Sequence, residues 1–283
     1  MKRILITGGN GFIARNLENQ LQDEYDTISC SRNQLNILDQ IEVSSFIRDH
    51  DIDIIIHTAT YDAAPIHSTK NPHKVLENNL KMFFNIVSCS NYVEKIIYYG
   101  SGAEFDKDYY IPRMKESYIG THIPTDQYGF SKYIMNKHAE QSSNIYNLRL
   151  FGVFGPHDDW RTRFIPNTCY QIFTDHPIVI HQNNRLNFVY IDDLVKITKY
   201  FIDNHVRYNT YNVCSAITRT YDEIAEQIIE ISNKTITIEV ENKGIEYSGN
   251  NTRLRNEITG LAFAPFLDSL TNLYEFYKTN GMC

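Results

Sequence analysis

The chain lacks any apolar run of about 20 residues and any N-terminal signal pattern, so nothing in it reads as a bilayer anchor. A disulfide framework is missing too. Its five cysteines, Cys30, Cys89, Cys169, Cys214 and Cys283, are odd in number and widely scattered. No pair has metal-ligand spacing, so no metal is expected, and the pattern fits a reducing, cytoplasmic compartment. Basic charge is not in excess: 27 Lys and Arg face 34 Asp and Glu, a formal charge of −7. That gives no support to nucleic acid or an anionic membrane as partner. Repeats and low-complexity linkers are also absent. What is plentiful is tyrosine, with 20 residues, expected at half-buried core and interface positions.

The first fourteen residues organise the rest. The apolar run Ile4-Leu5-Ile6 precedes Thr7-Gly8-Gly9-Asn10-Gly11-Phe12-Ile13-Ala14, and a helical pattern follows to about Leu21. This reads as strand, glycine turn and helix N-terminus. Gly8 and Gly11 allow close backbone approach, and Ala14 takes the third small-residue place. Free N–H groups at such a helix start bind a pyrophosphate. The motif points to a dinucleotide site involving Gly8, Asn10, Gly11, Phe12 and Ile13; the competing reading is a plain glycine-rich turn.

A second strand, Thr27–Cys30, is followed by Ser31-Arg32-Asn33, where NAD sites commonly carry an acidic residue. Arg32 stands there instead, and its guanidinium suits a 2′-phosphate, which favours NADP over NAD. An ordinary solvent-facing turn residue is the other reading of Arg32. Further strands are expected at Asp53–His57, Lys95–Tyr99 and Asn147–Phe151, with helices over 40–50, 72–91 and from Tyr128 onward. This alternation argues for an α/β, doubly wound, mostly parallel sheet over residues 1–156. Residues 157–283 are expected to form mainly a smaller mixed substrate-binding part, with 185–215 crossing back to the large one. Residues 104–126 read as a long polar loop over the site. Asn79 is either a surface amide or a buried tie to loop backbone. Asp192-Asp193 is expected to cap a helix to Ile202, and Thr220 another.

Tyr128 and Lys132 stand four apart, on one face of a helix. An ammonium beside a phenol favours the tyrosinate, and such a tyrosine exchanges protons with an alkoxide. Ser101, at the end of a strand, can hold the same oxygen. The Tyr–Lys spacing also arises by chance, and its weight comes from the glycine turn and Ser101 upstream.

These motifs, with Arg149-Leu-Phe-Gly-Val-Phe-Gly-Pro156 and Phe188-Val-Tyr-Ile-Asp-Asp-Leu194, resemble the extended short-chain dehydrogenase/reductase family in its nucleotide-sugar epimerase/dehydratase branch. Ser31–Asp39 and Gly155–Asp159 resemble its GDP-L-fucose synthase group and related 4-keto sugar reductases. The resemblance implies a Rossmann-like fold and Ser101, Tyr128 and Lys132 as catalytic residues. It implies cofactor contacts from Thr58, Ala59, Leu150, Val153, Asp39 and Lys132. It also implies a nucleotide-diphosphate sugar as substrate and a homodimer. In that group an epimerising cysteine and histidine align here with Ala103 and Arg163, neither of which is an ordinary acid–base group. Diphosphate contacts are expected from Arg163 and Arg185, each of which reads equally as a surface salt bridge. The implied activity is NADPH-dependent reduction of a 4-keto-6-deoxy sugar; a C4 epimerase retaining NAD and a non-catalytic dinucleotide sensor are the alternatives.

Overall fold

Side-chain alternation along the strands sets the layering. In the computed structural model, which describes residues 1–63 and 68–281, Ile4 and Ile6 of β1 (Arg3–Thr7) pack in one core and Leu5 in another. Ile54 and Ile56 of β3 (Ile54–His57) likewise part from Ile55, and Ile97 and Tyr99 of β4 (Lys95–Ser101) from Ile96 and Tyr98. A strand buried on both faces needs helices on both faces, and the chain supplies them. The first core takes in α1 (Phe12–Leu21). The second takes in α2 (Gln40–Asp49), α3 (Val75–Val87) and α4 (Gln127–Ala139).

With β2 (Asp26–Cys30), β5 (Ile145–Leu150) and β10 (Thr210–Val213), these strands form one parallel sheet in the order β10-β5-β4-β3-β1-β2. The order reverses at β1, between β2 and β3. That is where an open sheet of this kind leaves a crevice beyond its strand ends.

Between β5 and β10 the chain leaves the sheet as β6 (Gly152–Phe154), α5 (Phe164–Phe173), β7 (Ile178–Ile180), β8 (Asn183–Leu186), β9 (Phe188–Tyr190) and α6 (Ile191–Asp203). After β10 come β11 (Arg219–Thr220), α7 (Tyr221–Ser232), β12 (Ile238–Val240), β13 (Lys243–Tyr247), α8 (Thr252–Glu257) and α9 (Phe266–Asn280). Short sheets join these pieces: β6 with β9, β7 with β12, and β8 between β11 and β13.

Several local expectations change. Gly152–Phe154, within the motif at 149–156, is a short strand paired with β9. Asp192 and Asp193 lie in the first turn of α6, whose N-cap is Tyr190; there they still oppose the positive helix end. Thr220 does cap α7, its N–H donating to the Glu223 carboxylate at 2.8 Å. The polar strand β8, β13 and the short helix α8 had no usable periodicity. Asn79 resolves as the buried tie: its amide accepts from Tyr61 N–H at 2.8 Å and donates to Tyr61 C=O at 3.0 Å. Cys30, Cys89, Cys169 and Cys214 are buried free thiols, and Cys283 lies outside the described residues. Among the described residues, no helix is long and apolar enough to cross a membrane.

Candidate active site

The glycine turn is built for close approach. Gly8 has φ +74°, and a Cβ there would meet the Ala59 backbone at 2.9 Å. The turn closes by Gly11 N–H donating to Gly8 C=O at 2.8 Å and Gly9 N–H to Cys30 C=O at 2.9 Å. α1 then begins with no side chain capping Gly11 and no acidic residue in its first turn. Its N-terminal N–H groups and positive end are thus left for an anion. Beneath the turn, Thr7 and His57 share a buried hydrogen bond of 2.8 Å, and Thr58 Oγ1 donates to Thr7 C=O at 2.6 Å. Burial, with the Lys132 charge nearby, pushes His57 down to about 3, so its ring is neutral.

Two clefts meet over this turn. One, of about 340 Å³, is lined by Gly8, Asn10, Gly11, Arg32, Thr58 and Ala59, among others. Lys70, for which the sequence gave no signal, adds a second cation to its wall. Asp39 lies outside: its carboxylate caps α2, accepting from Ile41 and Glu42 N–H, and Leu38 lines the cleft in its place.

The second cleft, of about 350 Å³, shares Thr58 and Thr60 with the first. It gathers Phe12, Ile13, Ser101, Tyr128, Lys132, Leu150, Val153 and Arg163. Arg163 also lines a third space of about 580 Å³ with Arg161, His181 and Asn184. Arg185 does not join them. It pairs with Glu223 at 3.0 Å and donates to Thr218 C=O, while its neighbour Leu186 lines the cleft.

α4 is started by Asp126, whose carboxylate accepts from Gly129 N–H at 2.9 Å. That start puts Tyr128 in the first turn and Lys132 one turn later, both facing the end of β4. The Ser101 hydroxyl shares the cleft with the Tyr128 phenol and favours its ionised form. Lys132 Nζ donates to Tyr99 C=O at 2.9 Å and lies 5.8 Å from the Tyr128 ring centre. Part of Tyr128 is accessible along the cleft, yet the protein around the phenol pushes it up to about 12, with Ser101 opposing. Burial brings Lys132 down to about 8, against the pull of Glu104. The expected lowering of the tyrosine by its lysine is therefore reversed. Desolvation outweighs a cation already held on a backbone carbonyl.

Two groups escaped the sequence reading. Asp158 lines the same cleft, and burial raises its carboxyl to about 7, opposed by Arg163. Glu104 and Arg149 form a fully buried ion pair of 2.7 Å, and Glu104 also accepts the Ser101 N–H at 3.1 Å. Arg149 had appeared only as part of a motif; nothing in the sequence paired it with Glu104.

A phenol, a serine hydroxyl and a lysine, set beside a glycine-turn cleft on a doubly wound sheet, form an arrangement able to exchange a proton with an alcohol or ketone oxygen next to a dinucleotide. Residues 4–214 match the model of the NAD dependent epimerase/dehydratase family, and the chain belongs to that family. A dTDP-D-glucose 4,6-dehydratase of Dictyostelium discoideum is 26% identical over 273 residues, covering 82% of this chain and 62% of the relative. A GDP-L-fucose synthetase from Naegleria fowleri, solved with NADP, superposes with TM-score 0.86 at 16% identity, covering 99% and 93% of the two chains. A GDP-mannoheptose C4 reductase from Campylobacter jejuni, also with NADP, gives 0.86 at 18% identity over 98% of each.

Proposed function

We propose that the protein reduces the C4 ketone of a nucleotide-activated 4-keto-6-deoxy sugar with NADPH. The observation that carries this is the meeting of Ser101, Tyr128 and Lys132 in a cleft continuous with the glycine turn. The absence of an acid after β2, where Arg32 stands with Lys70 across the same cleft, favours the 2′-phosphorylated dinucleotide. Gly8, Asn10, Gly11, Phe12 and Ile13 would hold the pyrophosphate, Thr58 and Ala59 the adjoining stretch, and Leu150 and Val153 the nicotinamide end. When bound, the reduced nicotinamide supplies the hydride such a reduction consumes. Tyr128 gives its proton to the C4 oxygen, Ser101 donates a hydrogen bond to that oxygen, and Lys132 orients the phenol and binds ribose. The ketone thereby becomes a secondary alcohol. Arg163, which lines one space with Arg161, would take the sugar's diphosphate. In this reading residues 1–156 and parts of 185–215 serve the dinucleotide and 157–283 mainly the sugar nucleotide; the enzyme is a cytoplasmic homodimer.

The test is NADPH oxidation with a panel of nucleotide-linked 4-keto-6-deoxy sugars, run in D₂O. Oxidation with one of them, and no deuterium at the carbons flanking C4, supports a plain ketoreductase. Deuterium there would make Asp158 the base of an added epimerisation, since its carboxyl near 7 suits proton abstraction. No oxidation, with NAD co-purifying, would move the assignment to a C4 epimerase. NADPH binding with no turnover of any substrate would point to a sensor.

A further inference from the structure

The cleft beside the glycine turn draws a cation from each of two chain segments. Arg32 follows β2, and Lys70 stands between β3 and α3. The backbone under each is pinned. Arg32 rides on a turn closed by Gln34 N–H and Leu35 N–H, each donating to Ser31 C=O at 3.0 Å. Ser31 N–H donates in turn to Gln34 Oε1 at 2.9 Å. On the other side the frame is Tyr61. Buried Asn79 holds its backbone at both N–H and C=O, and its hydroxyl accepts Asn71 N–H at 2.9 Å. That bond brings Lys70, the preceding residue, beside the same ring. The lysine Nζ lies 5.3 Å from the Tyr61 ring centre and donates to Thr60 C=O at 3.3 Å.

Leu35, Ile37, Leu38 and Met82 line the same cleft with apolar side chains. A flat heteroaromatic ring suits such a wall, and a phosphate suits the two cations. The phosphate concerned is not the pyrophosphate, for which the N–H groups at the start of α1 provide separately. We infer that Lys70 is a second reader of the dinucleotide's 2′-phosphate, holding it with Arg32 in a clamp made by two segments of the chain. Partial desolvation lowers the Lys70 ammonium below its ordinary range; Asp62 opposes the fall and Arg32 adds to it. A phosphate set beside both cations relieves that repulsion. Thr60 and Tyr61 hold the ammonium in advance, so little side-chain entropy is left to lose on binding.

The inference rests on the NADPH part of the proposed function and not on the sugar substrate. Dissociation constants for NADPH, NADH, 2′,5′-ADP and 5′-AMP, measured by calorimetry, test it without turnover. Lys70→Gln keeps the length of the side chain and removes its charge. It should weaken NADPH and 2′,5′-ADP about tenfold, the low end for a charge-assisted hydrogen bond, and leave NADH and 5′-AMP unchanged. The loss should shrink as salt is raised, because both cations are open to water. Unchanged NADPH binding in Lys70→Gln, alongside a loss in Arg32→Ala, would overturn Lys70 as a reader and leave the NADPH preference standing. A loss shared equally by NADH and 5′-AMP would overturn it as well, since those ligands carry no 2′-phosphate. A wild type that binds NADH as tightly as NADPH would defeat the NADPH reading itself, and the clamp with it.

Discussion

Replacing Glu104 by Gln tests how the site is held. The carboxylate has no exposed surface and faces only donors. Ser101 N–H reaches it at 3.1 Å, Asn147 Nδ2 at 3.1 Å and Arg149 Nε at 2.7 Å. Arg149, equally buried, has its remaining donors on Asn212 Oδ1 at 2.9 Å and Asn136 Oδ1 at 3.0 Å. Gln removes the one formal negative charge in this set and turns an NH₂ against the donors. Stranding one partner of a buried pair costs about 3–5 kcal/mol. Unfolding entropy of about 2.1 cal/mol/K per residue, over 283 residues, converts that to a fall of about 5–8 °C in melting temperature. Calorimetry would measure it. The Glu104→Gln/Arg149→Met double variant should lose less than the two single losses together, because the second change removes the cation stranded by the first. A fall under about 2 °C, against the 5–8 °C expected, or strict additivity in the double variant, would refute the account. Since Glu104 also anchors Ser101 N–H, turnover should fall in the folded variant well below its melting temperature.

Three further outcomes are expected. Tyr128→Phe should retain NADPH binding and lose turnover by about 10²–10⁴; near-wild-type activity would remove Tyr128 as proton donor. Arg32→Ala should weaken NADPH about 10- to 100-fold, one charge-assisted contact, and leave NADH nearly unaffected; an equal loss for both would mean Arg32 does not read the 2′-phosphate. Asp158→Asn should raise stability at pH 8 and not at pH 4. The folded carboxyl titrates at about 7 against an ordinary value of 3.8, so the unfolded chain ionises first. Wild-type stability then falls as pH rises from about 4 to 7, by up to about 4 kcal/mol. A melting-temperature gain that is the same at both pH values would contradict this.

The parts legible in the sequence are those written locally. β1 with its glycine turn, the Tyr128–Lys132 pair and the Thr220 cap depend on residues within one turn or strand of each other, and periodicity exposes them. The parts not legible depend on partners distant in the chain. β8 is polar over Asn183, Asn184 and Arg185 and becomes a strand only between β11 and β13. Arg149 lies 45 positions beyond Glu104, and no pattern in either stretch names the other. Arg185 shows the opposite failure. Its chain position suggested a substrate contact, but Glu223, brought close by α7, takes its guanidinium. Asp39 is similar, its carboxylate spent on the start of α2.

Burial also bears on the direction of the chemistry. An epimerase must first take a proton from an alcohol, which calls for a tyrosinate. With the Tyr128 phenol near 12, reaching that state at pH 7 costs about 7 kcal/mol. A reductase begins from the protonated phenol and forms the tyrosinate only as its proton passes to the new alkoxide, after which it must be reprotonated. Lys132, drawn down to about 8 and held on the Tyr99 carbonyl, does little to ease the ionisation. In the proposed reaction the raised phenol favours Tyr128 as the proton donor, and a cationic ring lodged beside the phenol is what an epimerase built on this cleft would need to ease the ionisation.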